Sequence, residues 1–295
     1  MMRVAVVGAD GQLGTDVAAA FSGRGDRVRA LTHGDIEIAR LDATRNALEE
    51  AAPQVIVNTA AMHHVENCER QPEQAYAVNA LGARNLALVA RDLGAVLIHV
   101  STDYVFDGRQ TIPYEETSMP LPLNVYGNTK LSGEYFVRSL LDRHYVVRTS
   151  ALYGKTPCRG KGGRNFVELM LKLAAERGEV QVVDSEYVSP TSTRELAAQI
   201  VALSRSDRYG LYHATAEGSC SWYEFAREIF SLANVSVTLS VAPPNAFPAK
   251  VPRPLYSVLE NRALKHHGLN VFRPWQEGLG DYLGLRQQQL VEAAN

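Results

Sequence analysis

The sequence predicts an α/β protein built on a doubly wound parallel sheet, with a smaller C-terminal region closing over it. Three observations carry that expectation. Short β-branched runs alternate with amphipathic segments from Arg3 to about residue 150. The first run empties directly into a turn that holds Gly8, Gly11 and Gly14. From Ser219 onward the pattern changes to an amphipathic aromatic segment, Trp222 to Leu232, and then a proline-rich stretch, Val241 to Pro254, too rigid and apolar for a free linker.

Composition narrows the class of partner. With 295 residues, 46% hydrophobic and 21% charged, the chain has material for one large core and a smaller one. Its 30 Lys and Arg against 32 Asp and Glu leave a formal charge of -2, which gives no footprint for nucleic acid or an anionic membrane. No stretch approaches the roughly 20 apolar residues of a membrane span. Cys68, Cys158 and Cys220 are odd in number and free of Cys-x-x-Cys spacing, so they read as free thiols in a reducing compartment, and a cytoplasmic protein is expected.

Taken in order, Arg3–Val7 reads as a buried strand, followed by a helix through Phe21. Glycines three apart let the backbone turn tightly and approach a pyrophosphate, while the helix start offers its N–H groups, so Gly8, Gly11, Gln12, Leu13 and Gly14 are candidate cofactor contacts of a Rossmann-type domain. Arg27 to Leu31 is the second strand, and its end reads Thr32-His33 where NAD-binding folds often carry an acid. Either NADH or NADPH is therefore expected, with NADPH at least tolerated. Ile36 to Asp42 reads as a third short strand or extended segment, with Asp42 and Ala43 on the adenine side, and Thr44 to Ala51 as a helix.

The strand Val55–Val57 empties into Asn58, Ala60 and Ala61, small enough to let a cofactor pass. His63 and His64 lack the Cys or His cluster a metal needs, so they read as surface or substrate-cleft residues and no metal site is expected. Glu73 to Leu93 has helical spacing and stops at Gly94. The strand Val96–Val100 ends in Ser101, Thr102, Asp103 and Tyr104, whose hydroxyls and carboxylate face the ligand crevice. Later strands are expected at Tyr145–Arg148, Val180–Val183 and Leu211–His213, and helices from Asn165-Phe166 to Glu176, from Arg194 to Leu203, and from Trp275 to Leu283. Lys155 to Arg164 reads as a basic, glycine-rich loop. The division expected is a dinucleotide-binding domain over 1–154 and a mainly substrate-binding domain over 155–295, with segments within about 180–215 returning to the first.

Chemistry concentrates in Tyr126-Gly-Asn-Thr-Lys130, where the tyrosine and lysine share one helical face. A fixed ammonium about 4 Å away is worth roughly 4 kcal/mol at an effective dielectric of about 20, and one pKa unit is about 1.4 kcal/mol. Lys130 is thus expected to lower the Tyr126 phenol towards a useful range, with Thr102 as a hydroxyl donor clamping a substrate carbonyl.

These motifs resemble the extended short-chain dehydrogenase/reductase family, and within it the dTDP-4-dehydrorhamnose reductase branch. The likeness runs through Gly8-Ala-Asp-Gly-Gln-Leu-Gly14, Val57-Asn-Thr-Ala-Ala61, Ser101-Thr-Asp-Tyr-Val-Phe-Asp-Gly108, Tyr126 to Glu134, Arg148-Thr-Ser150, Asn165-Phe166, Pro190-Thr191 and Arg253-Pro254. It implies a catalytic triad of Thr102, Tyr126 and Lys130, a nicotinamide cofactor on the glycine turn, and a nucleotide-sugar substrate reduced at a C4 keto group. Substrate contacts are implied at His63, Thr102, Asp103, Tyr104, Asn165, Phe166 and Arg253. Departures from the family pattern fall at Glu66, Ala151 and the 184–191 segment, so the sugar pocket is expected to differ. Two alternatives stay open: an epimerase or dehydratase of the same fold, and a non-catalytic regulatory subunit like that of methionine adenosyltransferase. A homodimer is a compatible assembly.

Overall fold

The computed structural model describes residues 1–158, 162–243, 246–247 and 250–294, with side chains to 288. Arg159 and Lys161 of the expected basic loop lie outside the described residues. The strands β1 (Arg3–Val7), β2 (Arg27–Leu31), β3 (Val55–Asn58), β4 (Val96–Thr102), β5 (His144–Thr149) and β6 (Gly210–His213) form one parallel sheet in the order 2-1-3-4-5-6. Val7 stands opposite Leu31 and Asn58, and Thr102 opposite Thr149, so the glycine turn, the Asn58 loop and Thr102 open at one carboxyl edge. The strand order reverses between β1 and β3, and the crevice outside that reversal is where such sheets take ligands.

Apolar residues on both faces of the strands demand cover from two sides. Helix α1 (Gln12–Ser22) and the helix Thr193–Ser204 bury Val17, Phe21, Leu196 and Ile200 against one face. Helices α2 (Leu41–Ala51), α3 (Gly82–Asp92) and α4 (Val125–Leu140) bury Leu48, Leu86, Val89 and Val137 against the other. The strand or extended segment expected at 36–42 does not form. The chain turns back, with Ile36 N–H donating to Thr32 O at 3.1 Å; Ile36 and Ile38 sink into the core, and α2 already begins at Leu41. β2 is therefore the sheet edge.

The helix expected from Glu73 to Leu93 is three pieces: Pro72–Tyr76, a π-helical turn Ala77–Leu81, and α3. The turn has a polar cause. Asn79, 1% exposed, accepts from Met62 N–H at 2.8 Å and donates to Met62 O at 2.9 Å and Thr129 Oγ1 at 3.0 Å, lashing the loop after β3 to α4. A further helix, Val65–Arg70, had no clear periodic signal.

The C-terminal body has its own core of Phe166, Trp222, Phe225 and Trp275, where the Phe166 and Phe225 rings stack at 5.5 Å. Helix Phe166–Arg177 and the parallel ladder of Glu179–Val182 with Thr238–Val241 surround it, and the last helix runs from Trp275 to Ala294, well past Leu283. Among the described residues no helix is long and apolar enough to cross a membrane.

Beneath the carboxyl edge lies a buried ion pair. Glu134, 0% exposed, accepts from Arg148 Nε at 2.9 Å and Nη2 at 2.6 Å, and from Ser101 Oγ at 2.5 Å. The guanidinium lies 5.1 Å from the Phe106 ring centroid, and Nη1 faces His213 Nε2 at 3.5 Å. His213 stays neutral because burial, then Arg148, pull it down to about 3, with Nδ1 directed at Tyr114 O. Removing one partner of a buried pair strands the other charge. Glu134→Ala is therefore expected to cost about 3–5 kcal/mol in urea unfolding, and a loss below about 1 kcal/mol would show the pair to be dispensable.

Candidate active site

The glycine turn is a cradle that side chains would fill. Gly8 has φ +78°, and a Cβ there would lie 2.8 Å from Ala60 N; at Gly14 it would lie 2.1 Å from Gly8 O. Helix α1 starts after Gly11 with no side-chain cap, so its first N–H groups point unpartnered by side chains into the crevice, as an anion site requires. Gln12 Nε2 reaches Gly154 O at 3.4 Å and Thr156 O at 3.3 Å, drawing the loop after β5 over the turn. Leu13 is buried in the core and offers only its backbone. These residues fit a dinucleotide pyrophosphate.

Asn58 is 2% exposed and works inside the protein: Oδ1 accepts from Ala60 N–H at 3.1 Å and Nδ2 meets His99 Nδ1 at 3.0 Å. It shapes the Ala60–Ala61 floor. At the end of β2 the structure corrects the reading that no acid is present. Asp35 folds back, its Oδ2 accepting from Thr32 N–H at 2.8 Å and Thr32 Oγ1 at 2.7 Å, bonds that hold its carboxyl below the usual range. His33 and Asp42 are exposed, and His33 Nδ1 lies 3.7 Å from Glu37 Oε2.

The reactive end is assembled by α4. Asn124 caps it, Oδ1 accepting from Gly127 N–H at 2.9 Å while Nδ2 donates to Pro252 O at 2.9 Å. A Cβ on Gly127 would come within 2.2 Å of Tyr104 O, so glycine is what lets Tyr126 sit against the segment after β4. The Tyr104 and Tyr126 rings meet edge to face at 5.8 Å. Tyr126 is half-buried and faces the Thr102 hydroxyl. Lys130, 2% exposed, donates to Val100 O at 2.7 Å, and burial brings it down to about 8 against the pull of Glu134.

One expectation needs correcting here. Lys130 is not what governs the Tyr126 phenol: burial pushes it well above the usual range, Thr102 pulls it down and the Asp103 charge pushes it further up. The tyrosine is thus a neutral phenol with a proton to give. Thr102 and Asp103 are 5% and 4% exposed, and the Asp103 carboxylate accepts from Thr102, Ser150 and Ser257 hydroxyls, so it is occupied within the protein. The spacing of the motifs carried no sign of that trio.

The outer contacts separate further. Arg253, an implied substrate contact, is paired with Glu66, Nη2 to Oε1 at 2.5 Å, while its Nε is buried without a protein partner. Glu66 stands where the family pattern has a different acid, and its carboxyl is held low. His63 Nε2 meets Cys158 Sγ at 3.5 Å across the crevice. Asn165 is a helix cap, Oδ1 accepting from Glu168 N–H at 3.0 Å and Nδ2 donating to Gly154 O at 3.0 Å. Phe166 lies against Trp222 and Phe225 in the C-terminal core.

A glycine cradle at the sheet's reversal, facing a tyrosine and a lysine one helical turn apart, defines the site of an extended short-chain dehydrogenase/reductase. The family model described as RmlD substrate binding domain matches residues 2–287. A dTDP-4-dehydrorhamnose reductase of Streptomyces griseus is 41% identical over 94% of this chain and 91% of its own. The crystal structure of a dTDP-4-dehydrorhamnose reductase from Clostridium acetobutylicum superposes with TM-score 0.92 at 38% identity, over 97% of this chain and 100% of that one. One from Bacillus anthracis, in complex with NADP, gives TM-score 0.90 at 37% identity, over 95% and 98%. The chain belongs to the RmlD substrate-binding family.

The cradle makes a direct prediction. Gly14→Ala drives a methyl into Gly8 O, so NADPH affinity is expected to fall at least about 100-fold, or roughly 2.7 kcal/mol, in fluorescence titration; an unchanged affinity would put the cofactor elsewhere.

Proposed function

We propose that the protein reduces the C4 keto group of a dTDP-linked 4-dehydro-6-deoxy-L-hexose, giving dTDP-L-rhamnose or a close relative, with NADPH or NADH. The observation that carries the reading is the neutral Tyr126 phenol at the crevice, held high by burial beside Thr102. A reduction needs an acid at the carbonyl oxygen, and a phenol that keeps its proton is that acid. A bound reduced nicotinamide supplies the hydride. Gly8, Gly11, Gln12 and Gly14 would hold its diphosphate, the Ala60–Ala61 floor its passage, and Lys130 its ribose.

The chain's own part follows from placement. Tyr126 donates its proton to the carbonyl oxygen, and the resulting phenolate lies one helical turn from the Lys130 ammonium, which is present at neutral pH because the lysine titrates at about 8. Tyr104 flanks Tyr126 and shields the proton transfer from water. Arg253 serves the nucleotide end by exchanging Glu66 for a phosphate, using the Nε that has no partner within the protein. The same reading places the protein in the cytoplasm, in keeping with three free cysteines, and includes a homodimer as its assembly.

Mixing the 4-keto sugar nucleotide with enzyme and NADPH is expected to oxidise cofactor stoichiometrically and give an L-rhamno product by NMR. Conversion without net oxidation would instead mark an epimerase, and binding without turnover a regulatory subunit. Tyr126→Phe is expected to lower kcat by about 10² to 10⁴ while NADPH still binds. Lys130 loses its charge as pH rises through about 8, so NADPH affinity should weaken about fivefold between pH 8 and pH 9 and approach tenfold per pH unit beyond that in wild type, and stay flat in Lys130→Met. An equal pH dependence in both proteins would remove Lys130 from that role.

A further inference from the structure

His99 lies within β4, 0% exposed, and its two ring nitrogens have different surroundings. Asn58 settles which of them carries the proton. A backbone N–H can only donate, and that of Ala60 meets Asn58 Oδ1 at 3.1 Å, so the group that Asn58 turns towards His99 Nδ1, 3.0 Å away, is the Nδ2 amide, which also can only donate. Nδ1 is therefore the acceptor, and the ring proton stays on Nε2. Burial, then the Lys130 charge, hold the ring neutral. Nε2 gains nothing in return: it is buried without a hydrogen-bond partner among the described residues and faces α4, where a Cβ built on Gly133 would lie 3.4 Å from it and 2.5 Å from Asn79 O. Burying an N–H without an acceptor is a cost that an apolar ring of similar size avoids. A phenylalanine would fill the same space, but it could not accept from Asn58.

The far end of the Asn58 amide bears on the glycine cradle. Ala60 N lies 2.8 Å from where a Cβ on Gly8 would stand, and Thr59, the residue before it, is fixed by its Oγ1 donating to Val7 O at 2.8 Å. We propose that His99 is a positioning residue for the cofactor: by accepting from Asn58 Nδ2 it fixes the amide whose Oδ1 holds the Ala60 N–H, and so sets the Ala60–Ala61 floor against the glycine turn. Without that acceptor the Asn58 amide is free to rotate and Ala60 loses a fixed partner. The effect on affinity rests on reading that floor as the cofactor's passage; the proton assignment does not.

Two variants separate acceptance from packing, because the two roles rank them in opposite order. In His99→Asn the new Oδ1 can stand where Nδ1 stood and accept from Asn58, although the smaller side chain leaves a cavity. His99→Phe fills the space and offers no acceptor. In fluorescence titration the NADPH Kd is expected to stay within about threefold of wild type in His99→Asn and to rise at least about tenfold in His99→Phe. The reverse order, or equal affinities in the two variants, would overturn the proposal.

A measurement on the wild type needs no variant to fold. With 15N in the histidine rings and asparagine side chains, His99 is expected at about pH 7 to show an unprotonated Nδ1 and a protonated Nε2, with a scalar coupling across the hydrogen bond from Asn58 Nδ2 to Nδ1. A protonated Nδ1 would overturn the assignment and the proposal with it. Wild type that bound no NADPH would overturn the reading of the floor instead, and the ring tautomer would still be decided.

Discussion

A carboxylate taken wholly out of water must have its charge answered nearby, and Glu134 finds that answer in a bidentate contact with Arg148, itself 1% exposed. Desolvating both ions costs more than a single contact returns, so the pair persists only because Ser101 fills a further acceptor site on Glu134 and the Phe106 ring and His213 flank the guanidinium. The consequence is geometric. Glu134 stands one helical turn beyond Lys130 and two beyond Tyr126 on α4, Ser101 precedes Thr102 on β4, and Arg148 precedes Thr149 on β5 and Ser150 just past its end. One buried pair therefore sets the three elements that carry the reactive groups in register.

Above that pair lies a second buried anion with a different role. Glu134 is answered by a cation, whereas Asp103 is answered by hydroxyls alone, and burial holds its carboxyl above the usual range despite them. A charge left in that condition acts on its neighbours. It adds to the burial that keeps Tyr126 protonated and takes the Thr102 proton, so the phenol stays an acid awaiting a carbonyl oxygen. Lys130, one helical turn from Tyr126 but not among the groups that set the phenol, is better placed to hold a ribose and to offset the phenolate formed after proton transfer.

What was legible in the sequence is what local rules govern. The glycine turn, the buried strands, the Tyr126–Lys130 face and helix Trp222–Leu232 follow from spacing over a few residues. The segment 36–42 misled because Ile36 and Ile38 alternate as a strand does, while Thr32 and Asp35 close a turn that ends β2 first. Asn165 and Phe166 looked like ligand residues, yet one is a helix cap and the other packs in the C-terminal core, roles that a motif shared with relatives cannot distinguish. The Asp103 trio spans 47 and 154 residues to Ser150 and Ser257, and no periodicity reports a contact of that length.

The most direct measurement of the central claim, that this crevice delivers a hydride to the sugar while Tyr126 delivers the proton, is a single-turnover reaction with NADPH deuterated at the transferable position. The expected product carries deuterium at C4 of the hexose, seen by NMR as loss of the H4 signal in one product diastereomer. A product with protium at C4, or deuterium retained in the nicotinamide after the sugar has been converted, would contradict it.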